Sequence, residues 1–362
     1  MADESLSAFV ESVCGDSHLR VEDDLGDGFV RLKISEAERR QAAHDIRSTE
    51  DIVIEMLRNA RDAHARSIFL AVGREGDVRS LTILDDGDGV PPSMHERVFE
   101  PRVTSKLDTA HVDKWGVHGR GMALYSISMN ASTARVVASD SGMGSSFLVQ
   151  TDLRRLGEKA DQSTFPSFER TEAGTIAVKG PRNIIRTSCE FALEHRRDCT
   201  VYLGSATDIA ATLRDFGNAT LSRTARTFCD DYLLLPICKR LCTAADPGQF
   251  AQIAASLGLD ISERSARRIM DDGIAPVPPL FDRLRIGGTS SQGAQRSHRA
   301  RVKSEDARGL KVDPADLNSF ADGVADVYRS LARDYFLDPG VKPDVSVGKN
   351  QIHIVIPVEK LR

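Results

Sequence analysis

One stretch, Glu50-Asp-Ile-Val-Ile-Glu55-Met-Leu-Arg-Asn59-Ala-Arg-Asp62-Ala-His-Ala65, constrains the fold more than any other. Ile52, Met56, Ala60 and Ala63 recur at spacings of three and four, which places them on one stripe of a helix. Glu55, Asn59 and Asp62 recur at i, i+4 and i+7 and form a second stripe beside it. Ser48 and Thr49 precede the run as cap residues. The apolar stripe needs a core to dock on, so the polar stripe borders that core. Taken alone, a carboxylate, an amide and a carboxylate in line fit a solvated face as well as a polar site.

At 362 residues the chain has room for two domains, or three small ones. Its net charge of -5 excludes a global pull towards nucleic acid or an anionic membrane, so such binding would need a local patch. No run of about 18 apolar residues occurs, so no membrane-spanning helix and no membrane partner is expected. The acidic start, Met1-Ala-Asp-Glu-Ser5, lacks the apolar segment of a secretory signal. Six cysteines (14, 189, 199, 229, 238, 242) scatter along the chain, which suits reduced thiols in the cytoplasm. Cys229, Cys238 and Cys242 cluster loosely and read as small buried thiols rather than a metal site.

Ahead of the polar helix, the pattern predicts a strand near 28–34 and a charged helix over 35–45. His44-Asp-Ile-Arg-Ser-Thr49 is similar to the phospho-acceptor box of sensor histidine kinases. Thr49 replaces that family's proline, however, and the polar helix follows too soon for the kinases' long dimerisation hairpin. After the helix, residues 67–72 and 79–84 predict a hairpin turning at 73–77. The second strand runs into Asp85-Asp86-Gly87-Asp88-Gly89-Val90-Pro91. Alternating glycines there let backbone approach a ligand closely, and an aspartate at a strand end accepts a hydrogen bond from an exocyclic amine. An acidic turn would give the same string, whereas a calcium loop would need a later glutamate that is missing. Next come a basic loop, Thr104-Ser105-Lys106, and a glycine-rich loop opening an apolar helix, Gly119-Arg120-Gly121-Met122-Ala123-Leu124. Backbone N–H groups at such a helix start form an anion site. Strands are expected at 135–139 and 144–150.

Four boxes therefore stand in one order: Glu55-x3-Asn59-Ala-x-Asp62-Ala63, Asp85-x-Gly87-x-Gly89, Thr104-Ser105-Lys106 and Gly119-x-Gly121-x-x-Leu124. Together they resemble the GHKL ATPase superfamily of gyrase B, heat-shock chaperones, histidine kinases and MutL, over about residues 28–205. The resemblance implies an α/β (α+β) two-layer Bergerat sandwich that holds ATP between its helices and an antiparallel sheet. It further implies Glu55 as the general base that activates water and Asn59 as the ligand of Mg²⁺. Asp85 would take the adenine amine, with Gly89 flooring the base and Gly87 and Val90 beside it. Thr104, Ser105 and Lys106 would belong to a lid over about 103–120, and Gly119 to Leu124 would cradle the phosphates. Asp62 would serve structure, through nearby backbone or arginine. Asp86 departs from the family, where an asparagine is common.

The finer resemblance is to topoisomerase VI B, with MutL second. It rests on the Leu124-Tyr125-Ser126 that follows the phosphate loop, and on Gly174-Thr175-Ile-Ala-Val178, which looks like those families' Gly-Thr strand and would add Thr175 to the ATP contacts. A helix near 181–196 and a strand at 200–203 complete that pattern.

Beyond it, residues 221–243 read as helical, Asp246-Pro247 as a break, and 250–257 and 263–270 as two helices around the turn Gly258-Leu-Asp-Ile-Ser262. With Arg264, Arg267 and Arg268 on the last helix, this resembles a helix-turn-helix or the helix-two-turns-helix insert of topoisomerase VI B. A purely structural three-helix packing fits equally. Residues 287–311 read as a flexible basic linker, and 314–337 as an amphipathic helix. The end, 345–357, reads as a hairpin turning at Gly348-Lys349. The expected domains are 1–220 (ATP-binding), 221–286 (helical), 287–313 (linker) and 314–362 (a small α/β end), too short for a full transducer domain. Lys311 and Lys349 are both candidates to reach the γ-phosphate.

The expected function is a slow, Mg²⁺-dependent ATPase that dimerises with itself on binding ATP. Its expected setting is DNA topology or repair, with DNA and a separate DNA-cleaving or effector subunit as partners. The alternative is a signalling or chaperone-like module with no DNA role.

Overall fold

The computed structural model describes residues 21–105, 111–113, 116–118, 121–170, 176–222, 224–225, 231–284, 286–287, 314–334, 337–347 and 352–358. The elements begin with β1 (Val21–Gly26), β2 (Phe29–Leu32), α1 (Glu36–Asp45), α2 (Thr49–Asp62), β3 (Ser67–Glu75), β4 (Val78–Asp85) and β5 (Val103–Thr104). They continue with β6 (His111–Asp113), β7 (Gly116–His118), α3 (Ala123–Asn130), β8 (Thr133–Ser139), β9 (Ser145–Asp152), β10 (Ser167–Arg170) and β11 (Ile176–Lys179). Then follow α4 (Ile184–Glu194), β12 (Thr200–Gly204), α5 (Ala206–Thr220), α6 (Pro247–Ser256), α7 (Glu263–Met270), α8 (Leu280–Arg283) and β13 (Ile286–Gly287). The last are α9 (Pro314–Asp334), β14 (Asp344–Val347) and β15 (Ile352–Val355).

Five strands make the central mixed sheet in the order β12-β3-β4-β9-β8. β12 runs parallel to β3, and the other neighbours are antiparallel. The β3–β4 hairpin is longer than its sequence pattern, with Glu75 paired to Val78 across a two-residue turn at Gly76 and Asp77. Gly76 has φ of 57°, the left-handed geometry such a turn requires. On one face of this sheet lies α2, whose Ile52, Met56, Leu57 and Ala60 share a core with Ile68, Leu70, Leu81 and Ile83 of the strands and Phe191 of α4. The helix is buried on more sides than its two sequence stripes imply, because Val53, Ile54, Leu57 and Arg58 are buried as well. Its start is fixed by the Asp51 carboxylate, which accepts the N–H groups of Ser48 (2.9 Å) and Arg47 (2.8 Å).

The α/β sandwich expected from the motifs is present, and a further helical layer covers the sheet's other face. Phe69, Ala71 and Leu84 of the sheet share a second core with Ile209 and Leu213 of α5, Phe250 and Ile253 of α6, and Ala266 and Ile269 of α7. Polar bonds join this layer to the strands directly. Thr82 Oγ1 donates to the Gly258 carbonyl at 2.8 Å, and the buried Ser146 Oγ donates to the Leu257 carbonyl at 2.7 Å. Helix α5 was not read from the sequence, although Ser205 and Asp208 cap its start reciprocally.

Two local expectations are corrected. Where one helix was expected over 221–243, the described residues hold helical backbone at 224–225 and two 3-10 segments, Tyr232–Leu234 and Ile237–Thr243. Pro236 stands between them; it lacks an N–H and disfavours helical backbone in the residue before it. Asp246-Pro247 starts α6 instead of breaking the chain: Asp246 accepts the Gln249 N–H at 2.9 Å, and Pro247 fills a first-turn position that needs no donor.

The chain divides into two compact units, residues 1–289 and 290–362. In the second, α9 buries Tyr328 and Ala332, and β14 pairs antiparallel with β15. Lys311 and Lys349 lie outside the described residues, as does the expected 287–313 linker apart from Gly287, which belongs to β13. Among the described residues no helix is long and apolar enough to cross a membrane.

The far-face layer shares its core with β3 and β4, so a cavity there should be felt across the sheet. Phe250 is fully buried, and we predict that Phe250→Ala costs about 3–5 kcal/mol of stability. Chemical denaturation followed by circular dichroism should show one shifted transition rather than a second, earlier one.

Candidate functional site

The site is built where β4 ends. Asp85, the last residue of that strand, is only 2% exposed. Its Oδ1 accepts the Gly87 N–H at 2.9 Å, and its Oδ2 accepts the hydroxyl hydrogen of Ser145. Ser145 opens β9 and is the residue paired with Asp85 across the ladder. A carboxylate removed from water is costly unless it is hydrogen-bonded, and these bonds also fix its direction.

The glycines of this turn are required by contact. A Cβ on Gly87 would stand 2.3 Å from the Ala63 carbonyl oxygen, and one on Gly89 would stand 2.0 Å from that of Asp140. Gly89 also has φ of 74°. Gly144 is packed as tightly, with the Asp85 carbonyl oxygen 2.2 Å from the place of its missing Cβ. The loop between β8 and β9 is thereby pressed against the turn after β4. Its Gly142 N–H donates to the Asp88 carbonyl at 2.6 Å, and Ser139 Oγ links Val90 N (2.6 Å) to the Gly144 carbonyl (2.9 Å).

Beside Asp85 opens a cleft with about 940 Å³ of free space, the solvent at its mouth included. Asn59, Asp62 and Ala63 line it from α2; Asp85, Gly89 and Val90 from the strand end; and Thr104 and Ser105 from β5 and the residue after it. Gly121, Ala123 and Leu124 close it at the start of α3. Gly121 has φ of 67°, and its carbonyl accepts the Arg102 N–H at 2.9 Å, which ties the glycine loop to β5.

Of the residues that the resemblance assigns to the nucleotide, nine therefore meet around one cleft: Asn59, Asp85, Gly89, Val90, Thr104, Ser105, Gly121, Ala123 and Leu124. Gly87 stands behind Asp85 as its hydrogen-bond donor. Met122 caps α3 and accepts from Ser126 through its carbonyl. Glu55 lies one turn before Asn59 on α2 and is ion-paired with Arg58 rather than lining the cleft. Lys106, Gly119, Arg120 and Thr175 lie outside the described residues.

Asp62 accepts from its neighbour Arg61 at 2.9 and 2.6 Å, and Arg61 also meets His195 Nε2 at 3.0 Å. Asp86 is turned to its own backbone surroundings: its Oδ1 accepts the N–H groups of Arg66 and Ser67, both at 2.7 Å. The extra acid thus ties down the start of β3. Ser145, Phe29 and Phe147 line the cleft without having been singled out. Their positions depend on pairing between distant strands, β4 with β9 and β2 with β5, which no local pattern specifies.

Among the described residues, no group of three or more His, Cys, Asp or Glu side chains could hold a metal ion. The described thiols are free, and burial pushes Cys189 up to about 12 and Cys199 up to about 11. Thiols held in that state are inert at neutral pH.

This geometry is matched by known proteins. Residues 44–155 match the family described as Histidine kinase-, DNA gyrase B-, and HSP90-like ATPase, and the chain carries a domain of that GHKL kind. Curated relatives include the DNA mismatch repair protein MutL of Lactiplantibacillus plantarum, 31% identical over 172 residues, which covers 44% of this chain and 25% of that protein. The MutL of Clostridium perfringens (strain ATCC 13124) is 34% identical over 124 residues, covering 33% of this chain and 18% of its own length. That of Staphylococcus aureus (strain Newman) is 32% identical over 123 residues, again covering 33% and 18%. The chain spans a quarter or less of the length of these relatives.

Two outcomes are expected. Gly89→Ala should weaken binding of an adenine nucleotide at least about tenfold by isothermal titration calorimetry, since the new methyl group displaces the loop at Asp140. In the native protein, Cys189 and Cys199 should stay unmodified by iodoacetamide at pH 8, as read by peptide mass spectrometry, and should react once the chain is unfolded in urea.

Proposed function

We propose that this protein binds ATP with Mg²⁺ in the cleft beside Asp85, hydrolyses it slowly, and uses the nucleotide to switch a homodimer in DNA repair or DNA topology. The observation that carries the reading is the buried, hydrogen-bonded Asp85 at a glycine-packed strand end, facing a cleft lined by Asn59 of α2. A carboxylate offers about four lone-pair sites, so the bonds from Gly87 and Ser145 orient it and an exocyclic amine would be a further donor.

The residues present fit Mg-ATP. An amide oxygen such as that of Asn59 suits a hard cation, which takes most of its other ligands from phosphates and water. When bound, the cation neutralises phosphate charge. Asn59 would hold it, Gly121 and the start of α3 would supply backbone donors to phosphate, and Thr104 and Ser105 would cover that side. Glu55, one turn from Asn59, would accept a proton from an attacking water, the role the family resemblance implies for it.

The DNA setting rests on the likeness to the MutL proteins, which are named for DNA mismatch repair. The nearer likeness to topoisomerase VI B is part of the same proposal and rests on Leu124-Tyr125-Ser126 and the α6–α7 pair. Arg264, Arg267 and Arg268 are exposed on α7, which gives a phosphate backbone cations to meet. The proposed setting is the cytoplasm, in keeping with buried free thiols.

The test is steady-state ATP hydrolysis by the purified chain, as wild type and Glu55→Ala, with and without double-stranded DNA. We expect slow hydrolysis that DNA raises and that Glu55→Ala lowers at least about a hundredfold. Glu55-dependent hydrolysis indifferent to DNA would replace the DNA setting with a signalling or protein-remodelling one. No hydrolysis and no nucleotide binding would overturn the proposal.

A further inference from the structure

Arg58 is an unusual side chain to find in this place. It lies on α2 immediately before Asn59, on the polar stripe that also carries Glu55 and Asp62. Its side chain is 3% exposed, whereas that of its partner Glu55 is 19% exposed. A guanidinium remains charged at any pH a protein meets, so burying it demands an anionic or strongly accepting partner. Arg58 Nη1 donates to Glu55 Oε1, an i,i+3 pair within one helix. Long side chains on a helix lean towards its N-terminus, so Arg58 reaches back over the turn that carries Glu55.

We propose that Arg58 is a positioning residue for Glu55. It holds one oxygen of the Glu55 carboxylate on the helix surface and so fixes the direction of the other. The inference rests on the reading of Glu55 as the base that accepts a proton from water.

The physical need is clear. Glu55 has three rotatable side-chain bonds, and its carboxylate is partly solvated. A base that samples several rotamers is correctly placed for only a fraction of the time. Placement within about 0.5 Å is what such a site requires. Helix α2 cannot supply that order through the backbone alone, because the backbone fixes only the Cα–Cβ direction. A buried guanidinium can, since its planar donor fork is rigid and loses little freedom on pairing. Of the other polar residues of the stripe, Asn59 and Asp62 line the cleft, and Asp62 also accepts from Arg61. Arg58, like Glu55, is not among the residues that line the cleft, and its ion pair with Glu55 is the contact through which it would act.

The experiment uses the full chain as wild type, Arg58→Met, Arg58→Lys, Glu55→Gln and Glu55→Gln/Arg58→Met. Three quantities are read: kcat for ATP, the Kd of a non-hydrolysable ATP analogue by calorimetry, and the thermal unfolding midpoint. Arg58→Met should lower kcat at least about tenfold and leave the analogue Kd within about twofold. Arg58→Lys should recover part of that loss. In the Glu55→Gln background, Arg58→Met should lower kcat no further, and its effect on the unfolding midpoint should be smaller than in wild type.

If Arg58→Met does not fold, the remaining variants decide the matter. Arg58→Lys should retain Kd with reduced kcat, and Glu55→Gln/Arg58→Met, which removes both charges, should fold better than Arg58→Met alone. An unchanged kcat in a folded Arg58→Met would overturn the proposal. So would kcat and Kd falling together, or losses from Glu55→Gln and Arg58→Met that simply add. Wild-type hydrolysis that requires Glu55 but ignores Arg58 sinks this inference alone. Wild type without hydrolysis sinks the ATPase reading and this inference with it.

Discussion

The burial of the Asp85 carboxylate is the constraint on which the rest of the site depends. A charged group at the end of a central strand is tolerable only if donors meet it, and each donor comes from a different part of the chain. Gly87 supplies one from the turn that follows, and Ser145 supplies another from the paired strand. For these bonds to form, the β4–β9 ladder must be in register and the turn must lie against Ala63 at the end of α2. The close packing of Gly87, Gly89 and Gly144 is the steric consequence. Every other contributor to the cleft is set relative to this strand end.

Helix α2 couples that strand end to the chemistry. Its apolar residues bind it to the sheet, and its polar stripe carries Glu55, Arg58, Asn59 and Asp62 along one edge. Rigid docking of the helix turns sequence spacing into spatial spacing, with Asn59 in the cleft wall and Glu55 one turn away. The far-face helices reinforce the same sheet. The Ile237 N–H donates to the Met143 carbonyl at 2.9 Å, so that layer also holds the loop pressed against Gly89. The cleft is thus braced from both sides of the strands that form it.

Much of this was legible in the sequence. The helix at 49–62, the β3–β4 hairpin, the aspartate turn and the glycine loop each carry a local signal: 3.6-residue periodicity, β-branched runs and glycine at positions of positive φ. Where the chain's partners are remote, local signals fail. Ser145 resembles any strand residue until β9 is paired with β4, and Phe29 gains its place only through the pairing of β2 with β5. The segment over 232–243 shows the opposite error. Its leucines suggested a helix, and Pro236 with the capping carboxylate of Asp231 turned it into 3-10 segments. Asp86 shows a third kind. It stands where the family commonly has an asparagine, and the N–H groups of Arg66 and Ser67, distant in sequence, hold its carboxylate.

The central claim is that Asp85 reads an adenine-type amine in the cleft. Calorimetric titration of wild-type and Asp85→Ala protein with non-hydrolysable analogues of ATP and GTP, in the presence of Mg²⁺, tests it most directly. The account predicts saturable binding of the ATP analogue by wild type, at least about tenfold weaker binding of the GTP analogue, and loss of ATP-analogue binding in a folded Asp85→Ala. Equal binding of both analogues, or ATP-analogue binding unaffected by Asp85→Ala, would contradict it.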